Sequence, residues 1–169
     1  AHKVSVQLFD NVYYIGPSSL EDRADLSSFG MEVFALQEVI NSPEGNLLLL
    51  DEFARGTNPS EGSKLYNAVI EFFTSVQNTT VLTATHFDTV WGENNISYFQ
   101  ITGIAESLFK SLLVNKEITL QEKLVYIHDN MNYQPVKVEN RADIPKTALI
   151  IAELIGLEPD IINLAKNKD

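Results

Sequence analysis

The spacing of apolar and polar positions divides the chain into short strands and amphipathic helices. Val4, Val6 and Leu8 alternate with Ser5 and Gln7, and residues 12–15 form a second apolar run, so the opening predicts two strands ending at Gly16-Pro17. The polar stretch SSLEDRADLSS, residues 18–28, leads into a segment where Phe29, Val33, Leu36 and Ile40 recur at three- and four-residue spacing. That pattern predicts a helix with one inward stripe, stopped by Asn41-Ser42-Pro43. The four leucines at 47–50 are too few for a free-standing helix and predict a strand buried on both faces. After the loop FARGTNPSEG, Ser60 or Glu61 opens a helix expected to turn Leu65, Val69, Phe72 and Phe73 inward, with Asn78 breaking it. Residues 79–85, TTVLTAT, are β-branched and apolar and predict a further core strand.

The second half is patterned less regularly. Residues 96–101 and 124–127 read as strands and 104–113 as a short amphipathic helix, while the polar stretch 128–143 predicts an exposed loop. Pro145 fits the first turn of a helix over 146–155 that Gly156 ends, and Pro159 fits the first turn of another over 160–166. Strand, helix and strand between Leu47 and Thr85 fit a right-handed βαβ crossover, so the fold class is α/β with a parallel sheet. Both strand tips are then expected on one edge of the sheet.

Candidate chemistry collects at those tips. Asp51 and Glu52 end the leucine strand, where open parallel sheets place their ligands. An acid so placed can hold Mg²⁺, and a following Glu can polarise an attacking water; two acids capping a solvated turn is the simpler alternative. His86 ends the 79–85 strand and is expected near them, although a lone His is often structural. Ser27 and Ser28 stand at the amino end of the first helix, where they can serve an anion or simply cap.

Composition narrows the classes. The chain has 169 residues, of which 44% are hydrophobic, enough for one domain with a real core. Twelve Lys+Arg against 23 Asp+Glu give a formal charge of -11, which disfavours direct binding of nucleic acid or anionic lipid by this segment. The absence of cysteine excludes disulfides and thiolate sites and suits a cytoplasmic protein. No run approaches the roughly 18 apolar residues of a membrane span. The opening AHKVSVQLFD lacks a signal-peptide layout and is expected to be interior to a larger protein.

Three segments carry a resemblance. DLSSFGMEV resembles the signature segment of the ATPase domain of MutS-like mismatch-repair proteins, a branch of the ABC ATPases. LLLLDEFARGTN, with the PSEG after it, resembles that family's Walker B, and TATHF its switch histidine. The likeness covers residues 1–87, and the closing IPKTALIIAELIGLEPDIINLAK is similar more loosely. It implies a P-loop NTPase core of the ABC type, mainly a parallel sheet flanked by helices. The core would be partial here, because no GxxxxGK[ST] phosphate loop occurs in the sequence. In the family that loop lies upstream of the signature.

The resemblance further implies that Asp51 holds Mg²⁺ through its water shell, Glu52 positions the attacking water and His86 senses the γ-phosphate. Ser27 and Ser28 would reach ATP bound to the opposite subunit, and Thr57 and Asn58 would lie in the loop crossing the dimer interface. ATP or ADP and Mg²⁺ are the implied ligands of the whole protein, and a second copy or a MutS-like partner subunit its implied companion. DNA would be met through other domains. On this reading 1–103 is the core, 104–143 a divergent insertion and loop, and 144–169 the closing helices. Two departures stand out: SSF where the family more often has STF, and ENRADIPKT in place of a glycine-rich approach to the last helices. The expected function is an ATP-hydrolysing switch in mismatch repair or a related DNA transaction. The alternatives are a nucleotide-independent dimerisation module, a MutS-like ATPase with another role, and a hydrolase using Asp51, Glu52 and His86 as direct metal ligands.

Overall fold

A computed structural model describes residues 7–17, 28–88, 95–105, 108, 118–139 and 147–167. The chain divides into two units, residues 1–96 and 97–169.

In the first unit β1 (Asn11–Ile15), β2 (Asn46–Asp51) and β3 (Thr79–Ala84) form a parallel sheet in that order. The register sets Ile15 beside Leu50 and Asp51 beside Ala84, so the strands end at nearly the same level. Helix α1 (Ser28–Asn41) precedes β2, and α2 (Pro59–Thr74) joins β2 to β3. Because the strand order steps one way, crossovers of a single hand place both helices on one face. Ile15, Leu48 and Leu50 from the sheet pack there with Leu36 and Val39 of α1 and Tyr66, Val69 and Phe73 of α2. The expected strand of four leucines is present, but it is not buried on both faces. Leu48 and Leu50 are fully covered while Leu47 and Leu49 are half-buried, and their neighbours on that second face, Val12 and Leu82, are 63% and 61% exposed.

The inward faces of the two helices also differ from expectation. On α1 the buried residues are Met31, Glu32, Leu36 and Val39, and Ile40 is exposed. On α2 they are Gly62, Tyr66, Val69 and Phe73, an i, i+4, i+7, i+11 series, whereas Leu65 and Phe72 face outward. In both helices the true face includes a residue that apolar counting passes over: a glutamate in α1, a glycine in α2. Helix α2 starts at Pro59, one residue before the predicted opening, with Asn58 as its cap. Of the first predicted strand, Val4 and Val6 lie outside the described residues and Leu8 is 95% exposed.

The second unit departs further. β4 (Tyr98–Gly103) pairs antiparallel with β5 (Asn132–Val138), inside the stretch expected to be loop. The exposed pattern of β5 explains the difference, since only Val138 of its seven residues is buried. Residues 124–127, expected as a strand, belong to helix α3 (Leu120–Asp129). A capping box starts that helix: Thr119 accepts from the Glu122 amide, and the Glu122 carboxylate accepts from the Thr119 amide. Most of the helix expected over 104–113 lies outside the described residues, as does Pro145. Helices α4 (Ala148–Ile155) and α5 (Pro159–Lys166) close the chain, and Gly156 ends α4 in the left-handed conformation at φ 99°. Ile104, Ile127 and Leu154 make a small separate core.

Gly62 fixes how closely α2 approaches the loop after β2. A Cβ there would stand 2.9 Å from the Ala54 carbonyl oxygen and 3.0 Å from the Phe87 ring. Gly62→Ala gains about 1 kcal/mol of helix propensity but overpacks a contact with backbone, typically a cost of about 1–3 kcal/mol. A lower denaturant midpoint is expected, and an equal or higher one would show that the loop yields freely.

Candidate active site

The carboxyl edge of the parallel sheet gathers side chains from all three strand ends. Asp51, the last residue of β2, accepts a hydrogen bond on Oδ2 from the Tyr14 hydroxyl of β1 at 3.1 Å. Its Oδ1, a hard oxygen donor, has no hydrogen bond among the described residues. Glu52 follows with its amide donating to the Ala84 carbonyl at 3.0 Å, which carries the β2–β3 pairing one residue past the strand. Its side chain forms an ion pair with Arg55 through Oε2, and its Oε1 lies 3.8 Å from His86 Nδ1. His86 stands two residues beyond β3, half-exposed, with its ring centred 4.5 Å from that of Phe87. The crossover therefore brings Glu52 and His86 together as expected.

Between these groups the chain makes a strained turn. Glu52 and Ala54 have φ of 52° and 64°, left-handed values that cost a residue with a Cβ about 1–3 kcal/mol each. The surrounding contacts hold the turn. Phe53 and Ala54 are fully buried, the Arg55 amide donates to the Glu52 carbonyl at 3.1 Å, and the Ala54 amide donates to the Glu32 carboxylate at 2.7 Å. Glu32 comes from α1, 22 positions upstream, and is only 7% exposed. Burial raises its pKa above the ordinary carboxylate value of 4.5, while the hydrogen bond from Ala54 opposes that shift.

Ser28 opens α1 close to the same loop, since a Cβ on Gly56 would stand 3.2 Å from Ser28 Oγ. Ser27 lies outside the described residues. Thr57 is half-buried and donates its amide to the Ala54 carbonyl at 3.4 Å. Asn58 is engaged as a cap, its Oδ1 accepting from the Ser60 and Glu61 amides at 3.0 and 3.4 Å. Among the described residues no group of three or more His, Asp or Glu is placed to hold a metal ion.

Glu32, Arg55 and Tyr14 are the site residues that sequence reasoning missed. Arg55 was within reach, three residues after Glu52 in the same loop. Glu32 left one signal: an acid four residues before Leu36, on the inward side of an otherwise apolar helix face.

The sheet, its acid-bearing strand tip and the adjoining histidine define an α/β unit with a polar site on the carboxyl edge of a parallel sheet. The sequence model of MutS domain V matches residues 1–160, and the chain belongs to that family. Relatives named DNA mismatch repair protein MutS are 27% identical over 178 residues in Syntrophomonas wolfei subsp. wolfei and 25% over 168 in Geobacillus sp.. These alignments take in 100% and 98% of this chain but 19% and 17% of the relatives. The DNA mismatch repair protein MSH3 of Candida glabrata is 29% identical over 171 residues, 98% of this chain and 15% of its own length. The chain thus spans less than a fifth of the length of these relatives. Among the described residues no helix is long and apolar enough to cross a membrane.

The raised pKa of Glu32 carries a pH signature. A carboxyl whose folded pKa exceeds its unfolded one stabilises the fold below the unfolded value and loses that contribution as pH rises through the folded value. Glu32→Gln removes the charge and keeps an acceptor for the Ala54 amide. The variant should be more stable than the wild type at pH 7, and this advantage should vanish below about pH 4.5. Denaturant midpoints across that range check it; an advantage that does not change with pH would contradict the assignment.

Proposed function

We infer that this chain forms the catalytic edge of an ATP-hydrolysing switch domain in a DNA mismatch-repair protein that works as a dimer with shared nucleotide sites. The single observation that carries the reading is the meeting of Glu52 and His86, 3.8 Å apart, beside Asp51 on the carboxyl edge of a parallel sheet in a MutS domain V chain. On this reading the fold is the ABC-type P-loop NTPase core, with the phosphate-cradling loop supplied from outside these 169 residues.

Asp51 would hold Mg²⁺ through water, since a carboxylate oxygen suits a hard cation that keeps much of its hydration. Bound there, the ion would neutralise charge developing on the phosphates. Glu52 orients the attacking water with its carboxylate and accepts its proton. Arg55 and the left-handed turn fix that carboxylate in place, so little reorganisation is left for the reaction itself. His86, within reach of Glu52, donates toward the γ-phosphate and reports its presence. Ser28, which opens α1, and Ser27, which precedes it in the sequence, would contact nucleotide held by the other subunit, where backbone amides and hydroxyls suit an anion. Thr57 and Asn58 would lie beside them at the subunit boundary, with Asn58 also capping α2. DNA would be bound by other parts of the protein, in keeping with the charge of -11 on this segment. The protein would act in the cytoplasm.

A mixing experiment on the full-length protein tests the shared site. Glu52→Gln keeps the side chain's size and removes the base, so ATP should bind while hydrolysis falls roughly 10²-fold or more. The double variant Ser27→Ala with Ser28→Ala should bind ATP in its own site but fail to close on its partner's. In a mixed dimer one composite site has both defects and the other has neither, so activity should partly return. A mixture as inactive as each variant alone, with subunit exchange verified, would show that the sites are not shared.

A further inference from the structure

We propose that Glu32 is a positioning residue for the catalytic turn: its buried carboxylate, donated from α1, accepts the Ala54 amide and thereby holds Glu52 in the left-handed conformation that presents it to water. The proposal rests on the ATPase reading above.

The Ala54 amide sits in a fully buried residue, where water cannot replace a lost partner. The Glu32 carboxylate is the acceptor it finds, and it comes from another element. Local turn bonds, from Arg55 to Glu52 and from Thr57 to Ala54, run along the loop and do not determine where it stands relative to α1. The Glu32 contact does. Without it, the turn has both a motive and a route to relax: Glu52 and Ala54 leave φ values of 52° and 64° for the right-handed region, and the Glu52 side chain swings with them.

Ser28 lies one helical turn before Glu32 on the same side of α1 and stands against Gly56 of the same loop. The first two turns of α1 therefore grip the loop at two points, Ser28 beside Gly56 and Glu32 on Ala54. This ties the helix that Ser28 opens to the turn carrying the water-orienting carboxylate. A carboxylate suits the task because it offers acceptors only, and no rotation of its end can turn a donor toward the amide.

The test uses the full-length protein, with ATP hydrolysis measured beside ATP binding and hydrogen exchange at the Ala54 amide. Glu32→Ala should lower kcat about 10- to 100-fold, the scale of effect of a misplaced catalytic group, with ATP affinity and the number of ATP molecules bound per subunit unchanged. Protection of the Ala54 amide should fall in parallel. Glu32→Gln, which keeps an acceptor at the same reach, should retain most of the rate and the protection. If Glu32→Ala does not fold, Glu32→Asp carries the same expectation, being charged but one methylene too short to reach Ala54. Wild-type kcat in Glu32→Ala, a loss matched by fewer ATP sites, or Glu32→Asp outperforming Glu32→Gln would each overturn the assignment. A wild-type protein without ATPase activity would instead overturn the underlying reading, and the assignment with it.

Discussion

The parallel pairing of β2 with β3 is the constraint on which the site depends. Its register sets Asp51 beside Ala84, and the Glu52 amide continues the ladder to the Ala84 carbonyl. One residue of extra pairing decides where the chain leaves the sheet, and the left-handed φ of Glu52 turns it sharply away. His86, two residues beyond β3, is brought to the Glu52 carboxylate by the same register. A slip of one residue would send Asp51 to the opposite face of the sheet.

The surroundings of the turn are arranged to hold it. Glu32 satisfies the Ala54 amide, Asn58 caps α2, and Gly62 lets that helix lie against the Ala54 carbonyl. These contacts come from two stretches of chain, α1 and the start of α2, and each would be ordinary elsewhere. Together they keep two non-glycine residues in a conformation they would not adopt alone, and strain of this kind clusters at working sites. Burying the Glu32 carboxylate is costly, since it raises the acid's pKa, and the hydrogen bond from the Ala54 amide offsets part of that cost.

How much of this is legible in the sequence depends on the physics of each element. The leucine run, the β-branched run and the helix between them read correctly as a parallel crossover because burial gives each a strong period. The inward faces of α1 and α2 read only in part: Leu36, Val69 and Phe73 are buried as expected, whereas Glu32 and Gly62 are missed because they meet the loop and are not apolar. Helix α3 reads as a strand over 124–127 because the short apolar run outweighs Thr119 and Glu122, whose capping box starts the helix. Strand β5 reads as loop because nearly all of it is exposed, so burial leaves no alternation to find. The positions of Asp51, Glu52 and His86 at the strand ends are legible because a parallel sheet presents polar residues there, and that rule needs no knowledge of the side chains between them.

ATP hydrolysis is the role proposed for this edge of the sheet in the full-length protein. The measurement that bears on it most directly is an experimental structure of the full-length Glu52→Gln protein with ATP and Mg²⁺. Intact nucleotide is expected, with its γ-phosphate facing residue 52 and His86, the metal on the Asp51 side through water, and Ser28 of the other subunit against the same phosphate. Nucleotide bound away from this edge, or a metal held directly by Asp51 and His86 with no phosphate beside them, would contradict it.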